Sequence, residues 1–394
     1  MADGTLTGSQ SKTNRLMLFV FPLGHMINDW PGAALWILAP AIAVAMDLSA
    51  VEVGLLITIH SAVASLAYFP AGIVGDFVKK RGTLLAITFW WVAIGYFLAA
   101  SAPNFWILAL LLGLGGLGDA AWHPIATGTL VEQMPQRRAH VLGIHALGGT
   151  LAEVGAPICA GLLLGFFSWQ TVLQISSIPA LIMGIFFLRF RHAIPDLREA
   201  SVTRDDLRGM VDIWIRPKGI RVIAIIVFYN MSLMGAMAMM PLHMKNTYSL
   251  SLAQTGFMFA AIWGVGALIQ PLVGHISDVI GRKVISIIGL CLAAVFMAAV
   301  AMSTTFMWTA AFAIMGGSAL VGLRAVLLAA MVDVAGKRET TTLGFAFAVM
   351  DGVGALGALL AGLAGQQDLH YAFAFAALAA GVSMVQILLA CQSS

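Results

Sequence analysis

Along this chain, long apolar runs alternate with short polar turns. Twelve runs stand out: 16–46, 50–75, 83–101, 103–132, 137–166, 168–190, 219–245, 250–275, 284–302, 305–334, 339–365 and 368–391. A bilayer core of about 30 Å takes roughly 20 apolar residues per helix, so each run predicts one membrane-spanning helix. The stretch 191–218 is the only long polar interruption, and it predicts a linker between a bundle at 1–190 and a second at 219–394. The first fifteen residues are polar and hold no apolar core, which reads as a tail rather than a signal peptide.

The basic residues sort by loop parity. All but two of the 21 Lys and Arg fall in the tail or in every second loop; the exceptions are Lys245 and Arg324. Loops rich in Lys and Arg stay in the cytoplasm, which predicts that both termini are cytoplasmic. A soluble protein with buried helices would not sort its charges this way. Composition agrees: 60% of residues are hydrophobic and 10% charged, with a mean hydropathy of +0.93. Soluble domains carry about 25% charged residues, so here lipid has to cover most of the surface. Nucleic acid is not an expected partner. Cys159, Cys291 and Cys391 show neither a disulfide framework nor zinc spacing.

The pattern is duplicated. Gly72-Ile-Val-Gly-Asp76-Phe-Val-Lys79-Lys80-Arg81 follows the second run, and Gly274-His-Ile-Ser-Asp278-Val-Ile-Gly281-Arg282-Lys283 follows the eighth, 202 residues later. The same offset pairs Asn28 with Asn230, Leu48-Ser49 with Leu250-Ser251, and Gly54 with Gly256. An offset of 201 pairs Gly115-Gly116 with Gly316-Gly317, Glu132 with Asp333, Arg137 with Arg338, and Leu142-Gly143 with Leu343-Gly344. One offset held over six helices predicts two copies of one unit in parallel orientation.

The duplicated Gly-x-x-x-Asp turn resembles the signature of the major facilitator superfamily, over essentially the whole chain. In the first copy Phe77 stands where a basic residue is usual and Lys79 where glycine is usual. The resemblance implies an all-α integral membrane protein, with twelve transmembrane helices in two pseudo-symmetric six-helix bundles. Helices 1, 4, 7 and 10 would line a central cavity, and 2, 5, 8 and 11 would complete its walls. It also implies a gate built from Gly72, Asp76 and Arg81 and from Gly274, Asp278 and Arg282, in which each aspartate caps the start of a neighbouring helix (5 or 11) and ties it to its arginine. Within the first half, Gly24-His25-Met-Ile-Asn28-Asp29, His123-Pro124 and Gly148-Gly149…Pro157 resemble the fosmidomycin-resistance-type branch of bacterial exporters. That branch implies a multi-pass protein of the bacterial inner membrane.

Ionisable residues at a helix centre cost about 2.5–3.5 kcal/mol on insertion scales, so each needs a role or a partner. Asp29, Asp119, Glu153, Arg324 and Asp351 lie inside predicted helices, with His25, His60, His123 and His145. His25/Asp29 and Asp119/His123 are i, i+4 pairs, so each shares one helix face. The functional reading takes Asp29, Asp119 and Glu153 as the proton-coupling groups. Carboxylates crowded in a low-dielectric cavity cannot all stay ionised, so one can accept a proton on one side and release it on the other. The competing reading is a set of satisfied pairs that knit helices together. Asn28, His25, His123, Trp122, Arg324 and Asp351 are the candidate substrate contacts. Arg324 occupies the repeat position of His123 and either anchors an anionic group or serves as counter-ion to Asp351.

With no P-loop, ATP is not the expected energy source. The sequence predicts a secondary transporter without a cofactor, driven by the proton gradient and monomeric in the bilayer. Its expected activity is proton-coupled efflux of a small organic molecule by alternating access. Protons can silence the acids but not Arg324, which favours an anionic or zwitterionic substrate. The alternatives are proton-coupled uptake of a small organic anion, transport of a metal ion or metal chelate, and a non-transporting membrane sensor on the same fold.

Overall fold

The computed structural model describes residues 8–134, 137–194, 212–335 and 339–392; the side chains of 8–13, 76–77, 138–139, 335, 339–343 and 390–392 lie outside that description. Regular structure among these residues is helical throughout, and twelve helical spans are long and apolar enough to cross a membrane. The first half holds α1 (Gly8–Met46), α2 (Ala50–Phe77), α3 (Arg81–Ala99), α4 (Phe105–Gln133), α5 (Arg138–Leu163) and α6 (Trp169–Phe190). The second half holds α7 (Pro217–Tyr248), α8 (Leu252–Ile280), α9 (Arg282–Met302) and α10 (Phe306–Ala335). The eleventh span is broken into α11 (Glu339–Gly352) and α12 (Leu356–Ala364), and α13 (His370–Gln392) is the twelfth span.

Local chemistry explains the hairpins. Asp47 and Ser249 are both left-handed, with φ of 53°, which turns the chain sharply after α1 and α7. Ser49 and Ser251 then cap α2 and α8. Each accepts a bond from the amide three residues on, and the Glu52 or Gln254 side chain bonds back to the cap amide. These reciprocal bonds satisfy donors that a helix start leaves open. Turn and cap recur at the repeat offset, so the two halves share hairpin geometry as well as sequence.

Packing repeats as well. In the first half α1 packs on α5 and α6, α4 on α2 and α3, and α3 on α6. In the second half α7 packs on α12 and α13, α10 on α8 and α9, and α9 on α13. The halves meet along two seams related by the same repeat, α5 with α8 and α2 with α11 and α12.

The spans alternate in direction, so the ends that lead into the basic loops share one face of the molecule and the short turns share the other. At the face opposite the basic loops, the seams close to backbone contact through glycine. A Cβ on Gly161 would lie 2.5 Å from the Leu252 carbonyl oxygen, and one on Gly256 would lie 3.1 Å from the Pro157 carbonyl carbon. Across the other seam, Cβ atoms on Gly54 and Gly362 would lie 2.9 Å and 3.1 Å from the carbonyl carbons of Ala358 and Ala50. Small residues permit such approach. Toward the basic face the α5–α8 seam loosens. Gly264 has only Val154 nearby, at 3.8 Å, and Leu147, Leu151 and Leu268 farther along the same stripes are 58%, 56% and 81% exposed.

Two expectations change. The eleventh run, read as one helix over 339–365, stops at Gly352 and restarts at Leu356. The carbonyls at the break are bonded by side chains from other spans: Asn230 Nδ2 donates to Met350 O (2.6 Å) and Thr58 Oγ1 to Ala355 O (2.8 Å). Irregular backbone survives at membrane depth where protein groups satisfy it in this way. The polar tail, in turn, is helical from Gly8 onward, and α1 continues through Pro22, Pro31 and Pro40.

Candidate functional site

In the first half, α1, α4 and α5 bring their ionisable groups together. His25 Nε2 lies 3.1 Å from Asp29 Oδ2, one helical turn away. His123 Nε2 on α4 lies 3.6 Å from Asp29 Oδ1 and 3.8 Å from Asp119 Oδ1. His25, Asp29, Asp119 and His123 keep 13–23% of their side-chain surface exposed, so none is sealed within the packing. Asn28 and Trp122 are fully buried. Asn28 Nδ2 donates to the Asp119 carboxylate and, at 3.3 Å, to the Asp119 carbonyl, which fixes that carboxylate against α1. Trp122, expected on the substrate surface, instead packs behind the site. It stacks on His145 with centroids 5.3 Å apart, and Phe89 of α3 lies 5.7 Å away.

His25 is held from both ends. Its Nδ1 lies 2.8 Å from the His145 carbonyl, which can only accept, so Nδ1–H donates and Nε2 is the atom facing Asp29. A proton or a cation between Nε2 and the carboxylate turns a repulsion into a bond. The ring stacks on His145 at 4.4 Å. Gly149 makes this fit possible, because a Cβ there would lie 2.8 Å from His25 Nε2 and 3.2 Å from Asp29 Oδ2. Glu153, one turn further along α5, has a buried Oε2 with no partner among the described residues. His60 is set apart and bonds the Tyr96 hydroxyl at 2.7 Å.

The second half contributes Arg324 and Asp351. Arg324 forms no ion pair or hydrogen bond among the described residues; its guanidinium carbon lies 5.7 Å from the centre of the Phe347 ring. Asp351 sits one residue before the end of α11 and accepts from the Tyr68 hydroxyl of α2 at 2.7 Å. The Tyr68 ring lies 6.3 Å from His123 and 5.7 Å from Phe347, so it stands between the two groups of charges.

At the basic face, Arg81 bonds Glu132 of α4 at 2.7 Å and the Gly75 carbonyl at 3.2 Å. Arg282 bonds Asp333 of α10 at 2.8 Å and Asp278 at 3.5 Å. Gly72 and Gly274 lie in α2 and α8. The Asp76 side chain falls outside the described residues. Asp278 is exposed, with 64% of its side-chain surface free, and bonds its own turn; the α11 start that it was expected to cap lies among undescribed side chains.

Ligand atoms of His25, Asp29 and His123 lie within 4.8 Å of one another, so this trio could hold a metal ion. Two imidazoles and a carboxylate suit zinc-like divalent metals. The sequence reading missed Tyr68, Thr58, Asn230, Glu132 and Asp333. Three of these carried a signal, since Asn230 repeats Asn28 and Asp333 repeats Glu132. Nothing in the apolar second run marks Tyr68.

Twelve apolar spans in two matching bundles, with ionisable groups buried between them, define the architecture of a multi-pass membrane protein. The profile of the Major Facilitator Superfamily matches residues 22–234 and 220–391, and the chain belongs to that superfamily. It is 24% identical over 278 residues to a hexuronate transporter of Bacillus subtilis strain 168, covering 68% of this chain and 65% of that protein. It is also 24% identical over 190 residues to a "Probable sugar efflux transporter" of Helicobacter pylori strain G27, covering 48% of each. The chain thus spans less than two thirds of the length of either curated relative. Among solved structures, a bacterial homolog of the human lysosomal transporter Spinster, inward-facing and occupied, matches with a TM-score of 0.82 at 15% identity over 96% of this chain and 97% of that one. The nucleoside transporter NupG matches with a TM-score of 0.73 at 15% identity over 95% and 98%.

Proposed function

We propose that this protein exports a small organic anion or zwitterion from the cytoplasm in exchange for protons, by alternating access. The observation that carries the reading is a division of labour between the halves. Acids and imidazoles gather in the first half, and Arg324 in the second half forms no ion pair among the described residues. A proton can be exchanged on the first set while a permanent cation holds the cargo on the second. Proton return down 100 mV supplies about 2.3 kcal/mol per charge. The basic face is taken as cytoplasmic by the distribution of Lys and Arg, and the loosened seam on that face would admit cargo from the cytoplasm. The Arg81–Glu132 and Arg282–Asp333 pairs are taken as the gate, each tying a repeated turn to the span that carries a site residue.

The cargo is proposed to be a sugar acid or a similar small carboxylate. Arg324 supplies bidentate recognition of a carboxylate or phosphonate, and both curated relatives are named for sugars or sugar acids. The resemblance to the fosmidomycin-resistance branch fits the same cation, since it points to a phosphonate exporter. The test is calorimetric binding of D-glucuronate to protein in lipid nanodiscs, with D-glucose as the neutral control. Arg324→Gln is expected to weaken D-glucuronate at least tenfold, about 1.4 kcal/mol. Unchanged affinity in that variant, equal binding of D-glucose, or no D-glucuronate binding by the wild type contradicts the reading.

A second reading, transport of a divalent metal ion or its chelate, is favoured by the His25–Asp29–His123 geometry. It predicts zinc-dependent flux that His123→Gln removes and Arg324→Gln spares, the opposite of the leading reading.

A further inference from the structure

Arg324 and Asp351 lie on spans of the same half and within electrostatic reach of each other, yet no ion pair joins them among the described residues. Asp351 is held instead by α2 of the other half, through the Tyr68 hydroxyl at 2.7 Å. The hold is reinforced on both sides. The Tyr68 ring packs 5.7 Å from Phe347, one turn before Asp351, and Phe347 in turn faces the Arg324 guanidinium. Beyond Asp351, a Cβ on Gly352 would lie 2.8 Å from Ser65 Oγ of α2. Thr58, two turns farther along α2 from Ser65, bonds both the Ala355 carbonyl (2.8 Å) and the Leu359 amide (3.2 Å). One stripe of α2 therefore grips the broken span from Asp351 to Leu359.

We propose that Tyr68 is a positioning residue that keeps Asp351 off Arg324 while the basic face is open, and that parting of the α2 seam releases Asp351 to displace the bound anion. The proposal rests on the reading of Arg324 as the anion anchor and adds to it a reason for transport to run outward. Arg324 and Asp351 ride on the same half and stay neighbours through any rigid-body rocking of the halves. Tyr68 rides on the other half, so rotation of one half against the other moves it relative to Asp351. A guanidinium engaged by a carboxylate has lost the fork that a cargo anion needs. The anchor is thus free where cargo enters and occupied where cargo leaves.

The test reads the state of Arg324 without any cargo. Phenylglyoxal modifies free arginine, and peptide mass spectrometry gives its rate at Arg324 in full-length protein in lipid nanodiscs. Arg324 should react in the wild type. It should react roughly tenfold more slowly in Tyr68→Phe, where a partly buried ion pair has to break first. The rate should return in Tyr68→Phe/Asp351→Asn, a recovery that mere loss of packing would not give. An unreactive Arg324 in the wild type, a wild-type rate in Tyr68→Phe, or a double variant that stays slow overturns the proposal. D-glucuronate binding to Arg324→Gln separates the two readings. If that binding is unchanged the anion anchor is lost, while the phenylglyoxal pattern still reports whether Tyr68 controls the pair.

Discussion

The cluster in the first half stands on one glycine and one amide. Gly149 lets α5 settle against His25 and Asp29, and a methyl there has nowhere to go, because both neighbours are held by their own bonds. Overpacking of this kind costs about 1–3 kcal/mol. Gly149→Ala should therefore lower the thermal unfolding midpoint in detergent and impair transport. Gly143→Ala, on the same helix with nothing within 4 Å of its Cβ, should leave both unchanged. Equal midpoints for the two variants would show that the glycine contact is not needed. Asn28→Leu should also destabilise, since it removes the amide that holds Asp119 and leaves buried acceptors unmatched, at about 1–3 kcal/mol. The membership of this cluster was largely legible in the sequence. The i, i+4 spacings of His25/Asp29 and Asp119/His123 put each pair on one helix face before any fold was known. What spacing does not say is which way a face turns. Trp122 is adjacent to His123 yet points into the packing, and Tyr68 sits in an apolar run with no charged neighbour to mark it.

Among the elements, the eleventh span departs furthest from its sequence pattern. Its apolar run is continuous, and Gly352, Gly354 and Gly357 within it are small residues of the kind that permit close helix packing. The break arises because two distant side chains, Thr58 and Asn230, offer the backbone alternative partners, and no local pattern reveals partners from other spans. Membrane hydrogen bonds of this type are worth about 0.6–2 kcal/mol. Thr58→Val keeps the shape and removes the hydroxyl, so it should lower the unfolding midpoint and weaken the α2 seam. Asn230→Ala should lower the midpoint by a similar amount. Both residues act on the same break, so the double variant should fall short of the sum of the two. Strict additivity would mean that the two bonds do not support one element. The hairpins, by contrast, were readable, because Leu48-Ser49 and Leu250-Ser251 announce the same turn twice.

For the whole molecule, the repeat gave the architecture and the loop charges gave the expected orientation, while the two seams between the halves came only from the fold. Cysteines replacing Asn104 and Gln367 should react with an impermeant thiol reagent from outside the cell, and one replacing Lys79 should not; the reverse pattern inverts the orientation. Spin labels at Leu147 and Leu268 flank the loosened seam, so their separation should shorten when the basic face closes. A fixed separation under all conditions would contradict alternating access. The central claim is that an anion moves outward as protons move inward, and everted membrane vesicles energised by respiration, with an acidic interior, test it most directly. Radiolabelled D-glucuronate should accumulate in vesicles that contain the protein, collapse on adding a protonophore, and fail to accumulate with Asp29→Asn. Accumulation no greater than in vesicles lacking the protein, or accumulation that survives both the protonophore and Asp29→Asn, would contradict the account.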